Sequence, residues 1–160
     1  MTAEERTRAR EILDLQEGRL GVPVLDDAAI LAMLQSARRI AVIGASANPA
    51  RPSNGVVRYL AAAGYEVVPI NPTASRIEGR TCYSTLADAV VSEGPVDIVD
   101  VFRRAELCVP HAEEAVASGA RCLWLQLGIV NLEAARIAHA GDLAVVMDRC
   151  TKVEHARLLG

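Results

Sequence analysis

Aromatic residues and cysteines are both scarce in this sequence. Only 3% of the 160 residues are aromatic, whereas 51% are hydrophobic, so aliphatic side chains and alanine must fill the core. The four cysteines are widely spaced and form no Cys-x-x-Cys pair. A structural zinc site usually needs such pairs, and thiols without a secretion signal stay reduced in the cytosol. We therefore expect no metal site.

Long apolar runs and clustered positive charge are missing as well. No apolar run reaches the roughly 18 residues that a membrane-spanning helix needs. The first 20 residues carry charges of both signs and lack the apolar core of a signal peptide. The formal net charge is −3, whereas nucleic-acid binding needs clustered Lys and Arg. We expect a cytoplasmic protein that has neither a membrane nor a nucleic acid as its partner.

The pattern that is present alternates short β-rich apolar segments with helical segments. This alternation with short links predicts an α/β fold, a doubly wound and mostly parallel sheet of five strands or slightly more, with helices on both faces. The predicted strands are residues 39–44, 65–70, 95–101, 121–125 and 143–147. The predicted helices are residues 4–17, 27–38, 54–63, 85–91, 105–118 and 131–140, and a helix after Thr151 is left open.

Polar or conformationally special residues follow all five predicted strands. In open parallel sheets, ligands bind outside the carboxyl ends of the strands, near the point where the strand order reverses. The sequence therefore predicts a binding site built from these five segments. They are the loop after Gly44, the pair Asn71-Pro72, and residues 101–104, 126–128 and 148–150.

The loop after the first strand has the order that phosphate binding requires: strand, glycine, loop, helix. Gly44 lets the chain turn tightly and approach a phosphate. Backbone amides at the following helix N-terminus would face an anion, with the helix dipole aligned. Ser46 and Ser53 add hydroxyl donors, and Arg51 adds a charge-assisted bond. An ordinary turn before a capped helix is the simpler interpretation.

The second strand indicates which nucleotide would bind. The first loop is neither Gly-x-Gly-x-x-Gly nor a Walker A loop, and the strand ends at Asn71-Pro72 without the carboxylate typical of NAD sites. Arg76 and Arg80 follow instead. They suit a ligand with an extra phosphate near its ribose, such as NADP or the 3′-phospho-ADP part of coenzyme A. A solvent-exposed loop is an equally good interpretation of these two arginines.

A longer ordered set of motifs resembles the stand-alone CoA-binding proteins and, more distantly, the N-terminal domain of the succinyl-CoA synthetase α subunit. The resemblance spans roughly residues 25–157. It is carried by residues 40–46, 51–53, 58–60, 64–72, 77–80, 96–103, 123–128 and 146–150. It implies a CoA-binding Rossmann-like domain over residues 26–160, preceded by an N-terminal helical extension over residues 1–25.

The resemblance also implies a role for each strand-end segment. The pyrophosphate would lie on the first loop, adenosine beside the second strand, and the pantetheine arm beside the fourth. The residues concerned are Gly44, Ala45, Ser46, Arg51 and Ser53 for the pyrophosphate, Asn71 and Pro72 for adenosine, Val101, Phe102 and Arg103 for the adenine or pantetheine side, and Gln126 and Gly128 for the pantetheine arm.

Catalytic residues are harder to find. Succinyl-CoA synthetase needs a second domain with a phosphorylated histidine and a nucleotide-binding β subunit, and this chain is too short for that domain. His111, His139 and His155 are best interpreted as surface, capping or structural residues. No nucleophile with a base and an orienting group is visible. We therefore expect a protein that binds coenzyme A or an acyl-CoA without catalysis of its own.

Three questions stay open at this stage. Cys150 follows the fifth strand beside Arg149. It is either a packing residue or a partner for a mixed disulfide with the CoA thiol. The function itself has two alternatives, an NADP-dependent oxidoreductase and a non-catalytic subunit of an acyl-CoA ligase. The N-terminal helix either packs on the sheet or forms a homodimer.

Overall fold

Five parallel strands form the central sheet of the protein. A computed structural model describes residues 1–16 and 21–160, without the side chains of residues 15 and 16. The strands are β1 (Arg39–Ile43), β2 (Glu66–Ile70), β3 (Arg76–Ile77), β4 (Arg80–Thr81), β5 (Ile98–Val101), β6 (Cys122–Leu125) and β7 (Ala144–Val146). The large sheet has the order β2-β1-β5-β6-β7, while β3 and β4 form a small antiparallel hairpin.

Helices cover both faces of this sheet. They are α1 (Ala3–Gln16), α2 (Asp27–Ser36), α3 (Pro52–Ala62), α4 (Leu86–Glu93), α5 (Cys108–Ser118), α6 (Leu132–Ala140) and α7 (Thr151–Leu159), and a 3-10 turn (Ala105–Leu107) precedes α5. One core cluster joins the sheet to α4, α5 and α6, and a second joins it to α2, α3 and α7. The predicted doubly wound, Rossmann-like α/β fold is confirmed.

The strands supply both clusters by simple alternation. Successive residues of a strand point to opposite faces of a sheet. In β6, Cys122 and Trp124 belong to the cluster under α2, α3 and α7, whereas Leu123 and Leu125 belong to the opposite one. Fully buried alanines such as Ala112 let helices pack closely, which explains how so few aromatic residues suffice.

Most element boundaries follow from local chemistry. Asp26 caps α2 by accepting the Ala29 N–H at 2.9 Å, and Pro52 stands at the start of α3, where its missing N–H costs nothing. The segment predicted as one helix over 105–118 divides into the 3-10 turn and α5. The chain after Thr151 is helical, and residue 17 of the first predicted helix lies outside the described residues.

The hairpin of β3 and β4 was not predicted. Its strands are two residues each, too short for a periodic pattern, and the turn needs positive φ at Glu78 (50°) and Gly79 (73°). The hairpin is tied to α3 by a hydrogen bond of 2.8 Å from Asn54 Nδ2 to Glu78 Oε1. This contact places the hairpin beside the first loop.

The strand order reverses at β1. The chain leaves β1 for β2 on one side and later returns to β5 on the other, so the switch point lies between the carboxyl ends of β1 and β5. The Phe102 N–H donates to the Ile43 carbonyl at 2.8 Å across that point. Ligands of open α/β sheets bind at such a crevice. Within residues 1–16 and 21–160, no helix has the length and hydropathy to cross a membrane.

Candidate functional site

A cleft of about 1110 Å³ opens at the carboxyl edge of the sheet, over β1, β5 and β6. Its walls are the loop after β1, the N-terminus of α3, the segments that follow β5 and β6, the start of α7, and one residue of α1. Eleven of the residues predicted from the sequence line it: Gly44, Ala45, Ser46, Arg51, Ser53, Asn71, Phe102, Arg103, Gln126, Gly128 and Cys150.

Three predicted site residues do not line the cleft. Val101 is fully buried in the core beneath it, and Pro72 is exposed beside it. Arg76 Nη2 donates to the Gly79 carbonyl at 2.6 Å, so this side chain folds along its own hairpin. Arg80 likewise donates from Nη1 to the Glu78 carbonyl at 3.0 Å. Neither arginine lines the cleft, because each side chain donates to a carbonyl of its own hairpin. The sequence-based prediction did not include this hairpin.

Gly44 allows two loops to meet at the switch point. Its φ is +82°, and a Cβ atom at this position would lie 2.3 Å from the Phe102 carbonyl oxygen. No side chain fits in that distance, so only glycine permits this contact. The backbone of the first loop therefore lies directly against the segment after β5, at the floor of the cleft.

Two buried or half-buried amides hold the first loop in place. Asn71 Nδ2 donates to the Ala45 carbonyl at 2.8 Å, and Asn54 Nδ2 donates to the Ser46 carbonyl at 2.9 Å. Asn54 is fully buried and also holds Glu78 of the hairpin. Because these carbonyls are bonded, they do not face an anion in the cleft. Asn71 thus holds the first loop in place and also forms part of the cleft wall.

The N-terminus of α3 faces the cleft without a side-chain cap. Arg51 occupies the N-cap position and makes no capping hydrogen bond, Pro52 has no N–H, and Ser53 is 4% exposed at the cleft wall. The positive end of a helix dipole and its free amides favour an anion. This end of α3 therefore presents a positive potential to the cleft.

The charges that line the cleft are all positive. Five cationic side chains and no Asp or Glu occur among the described residues of the lining. Since the whole chain has a net charge of −3, the cleft concentrates positive charge against the average of the molecule. The five are Arg8, Arg51, Arg103, Arg104 and Lys152.

These cations have few partners of their own. Arg104 Nε lies 3.5 Å from Glu106 Oε1 in an exposed pair, and Lys152 Nζ lies 5.8 Å from the centre of the Tyr59 ring. In the part of the chain that the structure describes, Arg51 and Arg103 form no ion pair. Their charge is available to an anionic ligand.

A buried polar cluster lies beneath the cleft. Asp100, the third residue of β5, is fully buried; it accepts hydrogen bonds from Gln126 Nε2 at 2.5 Å and Thr151 Oγ1 at 2.8 Å. Burial raises the pKa of Asp100 to about 7, although these two bonds oppose the shift. Sequence reasoning missed Asp100; an acidic residue inside an otherwise apolar strand was the available signal.

Three of the cations were also missed. Lys152 is the only lysine of the sequence and follows the predicted segment 148–150 by two positions. Arg104 was in a nominated segment but received no role. Arg8 lies on α1, and nothing in its local sequence indicates that this helix reaches the cleft. The packing of α1 and α7 brings Arg8 and Lys152 to the site, whereas Arg104 reaches it from the segment after β5.

The histidines and most cysteines lie outside the cleft. His155 Nδ1 is 2.9 Å from the Tyr59 hydroxyl, and its ring packs edge-on against two tyrosines. Burial raises the pKa of the Cys108 thiol to about 11, and it also raises that of Cys122. Cys150 alone among the cysteines lines the cleft, where it is half-buried. Within the described ranges, no cluster of His, Cys, Asp or Glu is suited to a metal ion.

The fold and the cleft define a class: a Rossmann-like α/β domain with a cationic cleft at the switch point of its sheet. Residues 38–156 match the family described as CoA binding domain. The chain therefore belongs to the CoA-binding domain family.

Similar proteins cover most of the chain. The uncharacterized protein YneT of Bacillus subtilis (strain 168) is 42% identical over 129 residues, which are 81% of this chain and 93% of that protein. A solved structure of a hypothetical protein from Pyrococcus horikoshii OT3 superimposes with a TM-score of 0.81 at 37% identity, covering 85% of this chain and 94% of that one.

A larger protein contains the same fold as one part. The dinucleotide forming acetyl-coenzyme A synthetase 1 of Ca. Korarchaeum cryptofilum superimposes with a TM-score of 0.59 at 26% identity. The match covers 67% of this chain but only 25% of the synthetase. The succinyl-CoA synthetase-like relationship expected from the sequence is therefore supported by a solved structure.

Proposed function

We propose that this protein binds coenzyme A, free or acylated, in the cleft and carries out no reaction of its own. One observation carries the proposal: among the residues that the structure describes, five cationic side chains and no acidic one line a cleft into which the uncapped N-terminus of α3 points. Coenzyme A carries a pyrophosphate and a 3′-phosphate, and its negative charges match this arrangement.

The residues at the switch point fit a pyrophosphate. Gly44 lets the first loop lie directly against the segment after β5 at the floor of the cleft, and the first turn of α3 at Ser53 would offer amide and hydroxyl donors. Arg51, at the cap of the same helix, supplies a guanidinium for two oxygens at once. These residues would bind and orient the ligand; they supply no general acid or base.

The other end of the cleft fits an apolar or weakly polar arm. Leu127 is 70% exposed and Val153 is 55% exposed, although both line the cleft. Exposed apolar side chains beside a cleft favour contact with a ligand over contact with water. The pantetheine arm, or an acyl group at its end, would cover them.

Cys150 shares the cleft with this arm, so the mixed disulfide with the CoA thiol stays a hypothesis. Diamide would oxidise the two thiols to one disulfide and take up their two hydrogen atoms. Mass spectrometry after diamide treatment with coenzyme A tests it, and the absence of an adduct on Cys150 would end the idea.

The proposed domain organisation follows the site. Residues 26–160 would form the CoA-binding domain, and residues 1–25 an extension whose Arg8 reaches the cleft. NADP is the alternative cofactor, and a separate ligase subunit is the alternative source of catalysis. The likeness to a synthetase named for acetyl-coenzyme A supports coenzyme A over NADP.

A ligand panel tests the proposal. Thermal unfolding would be followed with coenzyme A, acetyl-CoA, adenosine 3′,5′-bisphosphate, NADP, NAD and ATP. A ligand present at 100 times its Kd adds about 2.7 kcal/mol of stability. We expect coenzyme A and acetyl-CoA to raise Tm and NAD to leave it unchanged. A larger shift with NADP than with coenzyme A would replace the proposal by the NADP alternative.

A further inference from the structure

The side chain of Gln126 lies at the floor of the cleft with its orientation fixed. It directly follows β6, lines the cleft and is only 4% exposed. Its Nε2 donates to Asp100 Oδ1 at 2.5 Å and to Thr151 Oγ1 at 3.0 Å. Both hydrogens of the amide are therefore used inside the protein.

When Asp100 is ionised, the partners of Gln126 exclude the flipped amide. An ionised Asp100 only accepts hydrogen bonds, and the Thr151 hydroxyl gives its one hydrogen to Asp100 Oδ2 at 2.8 Å. Both partners thus present acceptors to the amide, and only its nitrogen can face them. The three side chains form a closed ring of hydrogen bonds on β5, β6 and α7.

The amide oxygen of Gln126 is left for the cleft. No described residue donates a hydrogen bond to Gln126 Oε1. Among the described side chains, the only fully enclosed polar atom without a partner is Arg39 Nε, so Gln126 Oε1 is reached from the cleft. An acceptor that is nearly buried and unpaired costs free energy, and a donor on the ligand would recover it.

We infer that Gln126 Oε1 is a fixed acceptor for an amide N–H of the ligand's pantetheine arm, and that Asp100 and Thr151 are positioning residues that hold it. The inference rests on the proposed function. β6 is two strands away from β1, and neighbouring strands lie about 4.8 Å apart, so the acceptor is about 10 Å from the proposed phosphate site. That separation suits the arm of the ligand better than its phosphates.

Two ligands separate this role from a structural one. Coenzyme A carries the arm, while adenosine 3′,5′-bisphosphate carries the adenine and the phosphates without it. Calorimetric titration of each ligand, at about pH 8.5 so that Asp100 with its pKa of about 7 is ionised, compares the wild type with Gln126→Met. We expect about a tenfold weaker affinity for coenzyme A, as for the loss of one hydrogen bond, and less than a twofold change for the bisphosphate.

A second variant keeps the test decisive if Gln126→Met does not fold. Thr151→Val preserves the shape of the side chain but removes both of its hydrogen bonds in the ring. We expect Thr151→Val to weaken the affinity for coenzyme A about threefold and to leave that for the bisphosphate unchanged. The loss is smaller than for Gln126→Met because Asp100 still holds one amide hydrogen.

Equal losses for both ligands, or none for coenzyme A, would overturn the inference, because they would indicate general destabilisation or contact with adenine. Failure of the wild type to bind either ligand would instead overturn the proposed function.

Discussion

Arg51 is the residue whose substitution tests the proposed function most directly. It stands at the cap of α3 without capping it, lines the cleft and forms no ion pair within residues 1–16 and 21–160. We predict that Arg51→Ala weakens coenzyme A binding about tenfold, since a charge-assisted hydrogen bond is lost. Calorimetric titration measures the change.

The matched control for this variant is Arg136→Ala. Arg136 is exposed on α6, whose buried face packs on the side of the sheet away from α3. The Arg136→Ala variant should bind coenzyme A as the wild type does. An equal loss in both variants would show that the effect of Arg51 is not local.

Asp100 gives the protein a pH dependence of stability whose sign is fixed by burial. Its pKa rises from an ordinary 3.8 to about 7 in the folded state, so the folded protein binds a proton that the unfolded chain has released. The stabilisation is complete below the ordinary pKa and is lost as the pH rises through about 7. We predict that the free energy of unfolding falls from about pH 5 to about pH 8 in the wild type and falls less in Asp100→Asn.

Urea unfolding at several pH values measures both curves. Asp88→Asn, which changes an exposed carboxylate on α4, is the control and should keep the wild-type slope. If the free energy of unfolding fell equally steeply with pH in Asp100→Asn and in the wild type, Asp100 would not be the source of the pH dependence.

Among the elements, the hairpin of β3 and β4 is tied to α3 and the first loop by one buried amide. Asn54 Nδ2 donates to both the Ser46 carbonyl and Glu78 Oε1, and its Oδ1 accepts from Arg58 Nε at 3.0 Å. We predict that Asn54→Ala lowers the free energy of unfolding by about 1–3 kcal/mol, because it leaves buried polar groups unpaired. It should also weaken coenzyme A binding, since the first loop loses a support.

Urea unfolding and calorimetric titration of the same variant measure the two effects. Gln35→Ala, an exposed amide on α2, is the control and should change neither. If Asn54→Ala lost stability but kept full affinity, the support of the loop by Asn54 would be excluded.

The sequence predicted the elements of the large sheet well, and the hairpin not at all. A buried strand needs only a short apolar run, and a helix on its face needs periodicity and a stop such as Gly119. The hairpin has two residues in each strand and is held by Asn54, a residue distant along the chain. Long-range side-chain hydrogen bonds of this kind produce no periodic pattern in the sequence.

The site residues fall into the same two groups, those that local sequence predicts and those that depend on long-range packing. Residues at strand ends, such as Gly44 and Gln126, were predicted because parallel topology alone brings strand ends to one edge. Arg8 and Lys152 reach the cleft through the packing of α1 and α7, which local sequence does not encode. Arg76 does not line the cleft, since its side chain bonds the Gly79 carbonyl of its own hairpin, and its role in ligand binding stays a prediction.

On the scale of the whole molecule, charge is separated between the cleft and the rest of the surface. The chain has 20 acidic and 17 basic residues, yet the described lining of the cleft holds five cations and no acid. The long-range attraction of an anionic ligand by such a cleft is screened by salt, with a Debye length of about 10 Å at about 0.1 M. If the proposed function holds, the affinity for coenzyme A depends on ionic strength although the protein itself is acidic.

We predict that raising the NaCl concentration from about 0.05 M to about 0.5 M weakens coenzyme A binding about tenfold, since the ligand's charges are held by partly exposed cations. Calorimetric titration at a series of salt concentrations gives the slope. A double variant, Arg51→Ala with Arg103→Ala, removes two unpaired cations and should flatten it, whereas Arg136→Ala should not. An affinity independent of the NaCl concentration, or a salt dependence unchanged in the double variant, would mean that the ligand binds mainly through its arm. The apolar residues Leu127 and Val153 would then carry the binding that we assign to the phosphates.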